Sequence, residues 1–152
     1  MAADSQVSGR GTLLYHTKKL CKIHSMVIGV AGDTHHWDRF LRMFREKNYN
    51  PFCVETEEMQ AHRAWLEGNI KDTNALVFDT ATHKLGYMYD GHVAEVDPNW
   101  PYAIGSGMDI ALGATLAGAS AIRAVEIGIM LDNSSGGTVD HIDTGWRPAH
   151  LA

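Results

Sequence analysis

The chain has 152 residues, of which 45% are apolar and 20% charged, a balance typical of one folded domain and not of a disordered or fibrous protein. The formal net charge of -5 comes from interspersed acids and bases, without a run of Lys and Arg that would favour nucleic-acid binding. No apolar stretch approaches the roughly 18 residues of a membrane span, and the two cysteines in a chain without a secretory leader indicate a cytoplasmic protein.

Short strands and one helix are predicted within the first 50 residues. Residues 12–15 and 20–23 have the composition of two short strands or of one bent strand. The continuous apolar run at 26–31 is typical of a strand that is buried on both faces. Apolar residues recur at helical spacing over 37–44, which predicts an amphipathic helix that ends near Asn48.

The middle of the chain predicts a second helix and a β-meander. Thr56 is suited to cap a helix whose end is marked by Gly68. Between residues 75 and 96, three short apolar segments are separated by Asp-Thr and Asp-Gly turns. This pattern predicts three consecutive antiparallel strands.

Two further helices and a last strand complete the prediction. Gly105-Ser106-Gly107 opens the third helix, and Ser120 caps the fourth. The apolar residues expected on the buried side of the fourth helix are Ile122, Val125 and Ile129. A final strand is predicted over 138–142. Strands and helices therefore come in clusters, which favours an α+β fold of stacked antiparallel sheets covered by helices.

The segment 132–137, Asp-Asn-Ser-Ser-Gly-Gly, fits two interpretations. Glycines and polar side chains commonly satisfy the last carbonyls of a helix. An acid is unfavourable at the negative end of a helix dipole, however, so Asp132 indicates a specific partner. A helix stop and an active site fit the residues equally well.

Gly105-Ser106-Gly107 and the adjacent Lys18 and Lys19 also have two interpretations each. Free amides at a helix N-terminus bind anions or a developing oxyanion, but N-capping by Ser106 is the simpler explanation. Paired lysines between strands are most often a solvated edge. A lysine beside carboxylates, in contrast, can tune a neighbouring nucleophile.

Asp33 and His35 follow the buried strand in the order that some metal-dependent hydrolases use for their ligands. Capping of the next helix by Asp33 or Thr34, with exposed histidines, is the favoured explanation. The chain contains no later Gly-Asn-His-Asp segment to supply further ligands. A metal-dependent hydrolase therefore stays a minor alternative.

Five segments, in the same order, resemble motifs of the proteasome β-subunit and HslV peptidase family of N-terminal-nucleophile hydrolases. They are residues 2–8 with Asp4, the lysines at 18 and 19, the strand and helix entry at 27–33, the I-G-S-G at 104–107, and the D-x-x-S-G-G that begins at Asp132. The resemblance covers essentially the whole chain. It implies one domain over residues 1–152 with a four-layer αββα fold of two antiparallel sheets flanked by helices.

The resemblance implies roles for residues on the sheet side of the site. Asp4 would orient and charge-balance Lys19, and the positive charge of Lys19 would lower the pKa of the nucleophile. The backbone amide of Gly29 would form the oxyanion hole. The implied mechanism uses no cofactor and no metal.

Three residues would surround the free α-amine of the nucleophile, which acts as the general base: Ser106, Asp132 and Ser135. An α-amine ordinarily titrates at about pH 7.7–8.0, close enough to neutrality to accept a proton during turnover.

One departure from the family pattern concerns the nucleophile. The family uses a threonine at the mature N-terminus, one strand ahead of the aspartate that Asp4 matches. Here Met1 stands shortly before Asp4, and Thr12 and Thr17 follow it. We therefore expect a threonine-type peptidase subunit that is N-terminally truncated and inactive as written.

Two explanations of this departure are open. The gene start is placed at an internal codon and the natural protein carries a further strand with the Thr, or the short form is a non-catalytic, self-assembling structural relative. The retention of Asp4, Lys19 and Asp132 together favours the first explanation.

The resemblance also implies partners. The family forms homo-oligomeric rings of six or seven subunits, often stacked in pairs, that act on peptides or unfolded proteins. An ATP-dependent unfoldase docks on HslV and is a hypothesis for this chain. Neither nucleic acid nor a membrane is an expected partner.

Overall fold

A computed structural model describes residues 1–9 and 12–147. Within these residues the strands are β1 (Ala2–Ala3), β2 (Gln6–Gly9), β3 (Thr12–His16), β4 (Leu20–Ile23), β5 (Met26–Gly32), β6 (Thr73–Asp79), β7 (Lys84–Tyr89), β8 (His92–Val96) and β9 (Asp140–His141). The helices are α1 (Trp37–Lys47), α2 (Glu57–Asn69), α3 (Met108–Leu116) and α4 (Ala121–Leu131), and a 3₁₀ turn over Thr34–His36 precedes α1.

The predicted meander is part of a five-stranded antiparallel sheet. The strand order is β4-β5-β6-β7-β8, so each strand pairs with its neighbour in sequence. Tyr89 pairs with His92 across a two-residue turn, in which Asp90 and Gly91 have φ angles of 49° and 80°. Positive φ at both positions is the requirement of the hairpin turn that matches the twist of antiparallel strands.

One face of this sheet packs against α1 and α2 and forms the hydrophobic core. The alternation of side chains along a strand sends Ile28 and Val77 to this face, and both are fully buried. Phe40 and Phe44 of α1 meet edge to face with ring centroids 5.1 Å apart. The amphipathic helix predicted over 37–44 is therefore confirmed.

The other face carries the remaining layers. There β1 pairs with β9, and α4 packs on β1 with α3 beside it. β2 pairs with β3 in a separate hairpin, whose Val7 contacts the hydrophobic core. The order α1/α2, five-stranded sheet, smaller strand pairs, α3/α4 confirms the α+β sandwich of antiparallel sheets flanked by helices. No helix in the described part of the chain combines the length and the apolar character needed to cross a bilayer.

The buried face of α4 differs from the prediction. Ala124 and Gly128 are buried, whereas Ile122 is 36% exposed and Val125 and Ile129 are half-buried. Helix α4 approaches β1 through its small residues, because only these let a helix lie close to a strand. The larger apolar residues are left beside this contact.

Smaller differences lie at element ends. Gly68 is inside α2, which ends at Asn69. The last strand covers only Asp140–His141 instead of 138–142. The short strands β1 and β2 were not predicted from their own composition, because they are polar or small and show no clear apolar alternation.

Two glycines provide a matched test of the backbone. At Gly91 an added Cβ would collide with the backbone of Leu66, and φ is +80°, whereas at Gly113 in α3 nothing lies within 4 Å. We expect Gly91→Ala to destabilise the protein by at least about 1 kcal/mol. Gly113→Ala should stabilise it by roughly 0.5–1 kcal/mol, because alanine lowers the backbone conformational entropy of the unfolded chain at a helical position. Urea unfolding measures the free energy of unfolding of both variants. Equal changes of the same sign in Gly91→Ala and Gly113→Ala would contradict the turn geometry.

Candidate active site

A cleft of about 190 Å³ lies between the five-stranded sheet and the α3/α4 layer. Gly29 and Leu76 line it from the sheet, and Ala124 and Gly128 line it from α4. Small residues on both sides leave this space open. Five of the six predicted site residues line the cleft, namely Asp4, Lys19, Gly29, Ser106 and Ser135.

The sixth, Asp132, joins two of these residues. It is the C-cap residue of α4, and its Oδ2 atom accepts hydrogen bonds from Ser106 Oγ at 2.7 Å and Ser135 Oγ at 2.6 Å. Its Oδ1 atom accepts from the backbone N–H of Ser134 at 3.3 Å. One carboxylate therefore connects the start of α3 with the loop after α4.

These bonds hold Asp132 in its ionised form. The hydroxyls of Ser106 and Ser135 lower the pKa of Asp132, and the positive charge of Lys19 adds to this effect against a smaller desolvation cost. Because an ionised carboxylate only accepts hydrogen bonds, both serines must donate to it. The lone pairs of the two serine oxygens then stay available to a further donor.

Lys19 and Asp4 form an ion pair beside the Asp132 group. Lys19 Nζ lies 2.6 Å from Asp4 Oδ1, and the two side chains are only 15% and 14% exposed. The second oxygen of Asp4 accepts from the backbone N–H of Gly136 at 2.8 Å. Asp4 thus links the residue that precedes β4 to the loop after α4.

The glycines around Ser106 explain the Gly-Ser-Gly segment. Gly107, not Ser106, is the N-cap residue of α3, and no side chain caps this helix, so the predicted N-cap role of Ser106 is wrong. An added Cβ at Gly107 would lie 3.1 Å from Ser135 Oγ and 3.4 Å from Asp132 Oδ2. Gly107 therefore lets the start of α3 approach the carboxylate.

Gly29 lies close to both Lys19 and Met1. The backbone N–H of Val30 donates to the carbonyl of Lys19 at 2.8 Å, which fixes the two strands at this point. An added Cβ at Gly29 would be 3.2 Å from Met1 Sδ. The amine of Met1 donates to the carbonyl of Ile142 at 2.9 Å, and burial lowers its pKa.

Asp33 and His35 lie outside the lining of the cleft. Asp33 accepts from the backbone N–H of His35 at 2.9 Å and caps the 3₁₀ turn, while the His35 side chain is 87% exposed. Across residues 1–9 and 12–147, no group of three or more His, Cys, Asp and Glu side chains is arranged to hold a metal ion.

Sequence reasoning missed two residues that support the site. Gln6 and Ser8 donate to backbone carbonyls of the loop after α4, at Asn133 and Ser134. Their spacing from Asp4 is the signal that could have identified them, because residues two apart share one face of an extended strand.

Solved structures similar to this chain include proteasome-like proteins. Thiobacillus denitrificans BPH, a bacterial proteasome homologue, superposes with a TM-score of 0.68 at 17% identity, over 91% of this chain and 88% of that chain. Its complex with epoxomicin gives the same values. Eukaryotic HslV from Trypanosoma brucei gives a TM-score of 0.63 at 21% identity, with the same coverage. This chain has the HslV fold.

The similarity is therefore one of fold, and the resemblance drawn from the sequence motifs is confirmed at that level. No protein-family model matches the sequence, and no curated protein matches it.

The pKa of Asp132 predicts a dependence of stability on pH. Because this pKa is lower in the folded chain, the ionised carboxylate stabilises the fold above the ordinary value of 3.8, and the contribution is lost as the pH falls through the folded pKa. We expect the unfolding free energy of the wild type to fall more steeply on acidification below 3.8 than that of Asp132→Asn.

Urea unfolding at a series of pH values measures this difference. Asp109→Asn, at an exposed position in the first turn of α3, serves as the control and should follow the wild-type slope. Parallel curves for Asp132→Asn and the wild type would contradict the role given to the two serines.

Proposed function

We propose that the chain is a subunit of a threonine-type peptidase, and that the nucleophile is an N-terminal Thr on a strand ahead of Met1. The observation that carries this proposal is the convergence of two polar groups on one cleft: an ion pair and a carboxylate bonded to two hydroxyls. Lys19 with Asp4 stands on the sheet side, and Asp132 with its two serines stands at the end of α4.

The Asp132 group has the chemistry to hold a primary amine. Both serine hydroxyls donate hydrogen bonds to the carboxylate, so the lone pairs of their oxygens can accept hydrogen bonds from the N–H groups of an amine. The lone pair of the amine stays free, which a general base requires. An N-terminal α-amine in this position would take the proton of its own threonine hydroxyl.

The remaining steps use Lys19 and Gly29. The positive charge of Lys19 favours the alkoxide as the threonine oxygen attacks the peptide carbonyl carbon. The amide of Gly29 would donate to the oxyanion of the tetrahedral intermediate. The protonated amine then gives its proton to the leaving amine, and water hydrolyses the acyl-enzyme ester.

The surface around the cleft supports the entry of a further strand. In the described residues, β1 pairs only with β9, so its second edge is unpaired. Helix α4 packs on β1. Its residues Ile122, Val125 and Ile129 are partly exposed, although their spacing is typical of a buried helix face. An added strand beside β1 would satisfy free backbone groups and cover apolar surface.

Assembly with other copies is part of the same proposal. Large apolar side chains are exposed on α3 and α4, with Leu116 at 62%, Met130 at 71% and Leu131 at 67%. Clustered exposed apolar residues are typical of interaction surfaces. We infer a homo-oligomeric ring of six or seven subunits that degrades peptides or unfolded proteins, with an ATP-dependent unfoldase as a candidate partner.

A form of the protein with a Thr-initiated strand ahead of Met1 tests the proposal. The DNA upstream of the Met1 codon is the first source for the sequence of this strand. We expect hydrolysis of fluorogenic peptides by this form, and a loss of at least about 100-fold when the added Thr is changed to Ala or when Lys19 is changed to Met.

Light scattering on the same samples separates the peptidase from a structural relative. Active rings support the proposal. Rings that stay inactive with the N-terminal Thr present would favour a non-catalytic assembly, and an inactive monomer would contradict both functions. Circular dichroism on Lys19→Met distinguishes lost chemistry from lost folding.

A further inference from the structure

Asp4, Gln6 and Ser8 form a row of polar side chains along the segment that leads into β2. They stand at alternate positions, and residues two apart face the same side of an extended chain. All three contact the loop that follows α4, at residues 133–136. The intervening Val7 packs against the hydrophobic core instead.

Gln6 is the centre of this row. Its Nε2 atom donates to Ser8 Oγ at 2.7 Å and to the carbonyl of Asn133 at 3.2 Å. Its Oε1 atom lies so close to Gly136 that an added Cβ there would collide with it. Gln6 therefore bonds to one end of the loop and packs against the other.

Ser8 extends the contact. Its hydroxyl accepts from Gln6 and donates to the carbonyl of Ser134 at 3.2 Å. Ser134 also donates its N–H to Asp132 Oδ1. Ser134 therefore connects the hydroxyl of Ser8 to the carboxylate of the candidate site.

Among the described residues, further bonds to the loop are either internal or hold its far end. Its internal bonds run from Ser134 and Ser135 back to Asp132, so they move with the loop. The backbone of Ser5 donates to the carbonyl of Gly136 at 3.1 Å, and Asp4 accepts from the same residue, so these two hold the far end. Gln6 and Ser8 hold the near end, next to Asp132.

We propose that Gln6, with Ser8, is a positioning residue that fixes the loop after α4 so that the hydroxyl of Ser135 points at Asp132. This inference deepens the proposed function, since it concerns the same site. Removing the Gln6 amide would free the carbonyl of Asn133 and take away the donor that holds the Ser8 hydroxyl against Ser134. The loop could then turn the hydroxyl of Ser135 away from the carboxylate.

Gln6→Met tests the proposal on the chain as it stands. Methionine keeps the length and the apolar stem and removes the donor. We expect exchange of the backbone amides of Ser134 and Ser135 to become roughly tenfold faster, which corresponds to one lost hydrogen bond. The ¹³C carboxyl resonance of Asp132 should titrate at a higher pH, because a serine hydroxyl no longer lowers its pKa.

Three matched variants complete the experiment. Ser8→Ala should move both readouts in the same direction, and Ser8→Thr, which keeps the hydroxyl, should restore them. Val7→Ala, on the opposite side of the strand, should lower global stability without shifting the Asp132 titration. Asp4 and Lys19 also face this site, so their ion pair must be intact in each variant, which the resonances of both side chains report.

Unchanged exchange and titration in Gln6→Met would overturn the proposal, as would equal shifts in Val7→Ala. None of these measurements needs peptidase activity. The two proposals can therefore fail separately. If only the proposed function fails, these variants behave as expected and the Thr-initiated form is inactive.

Discussion

Asp4 uses both of its carboxylate oxygens, and the candidate site depends on this bridge. One oxygen lies 2.6 Å from Lys19 Nζ, and the other accepts from Gly136 N at 2.8 Å. Lys19 belongs to the sheet side of the molecule and Gly136 to the loop after α4. Without Asp4, a mostly buried ammonium would lose its partner, and the two sides of the cleft would lose their direct polar connection.

Close approach of small residues is the second constraint. Gly107 allows the start of α3 to reach Ser135 and Asp132, and Gly136 allows the loop to lie against Gln6. Ala124 and Gly128 let α4 approach β1. The cleft and its polar groups thus coexist because the residues between them occupy little volume.

Much of the fold could be predicted from local patterns. The strand at β5, helix α1, the cap of α2 at Thr56 and the β6–β8 meander all follow from apolar period, capping and turn residues. Patterns failed where packing is decided by distant partners. The buried side of α4 is set by β1, and β1 itself has too few residues to carry a pattern.

The candidate site was predictable to a different extent. The segment 132–137 fitted a helix stop and an active site equally well, and N-capping was the simpler explanation of Gly105-Ser106-Gly107. Only the order of the motifs along the chain indicated one site. The structure brings Asp4, Lys19, Ser106, Asp132 and Ser135 together around one cleft. The contribution of Gln6 needed the three-dimensional structure, because its partners lie more than a hundred residues away in the chain.

The proposed function requires that the Asp132 group bind a primary amine in the cleft. Nuclear magnetic resonance titration of the ¹⁵N-labelled chain with a short extended peptide that begins with a free Thr amine tests it most directly, with the N-acetylated peptide as the control. We expect shifts at Gly29, Ser106 and Ser135 with the free amine, and much weaker shifts after acetylation or in Asp132→Asn. Equal responses to the two peptides, or shifts elsewhere on the surface, would contradict it.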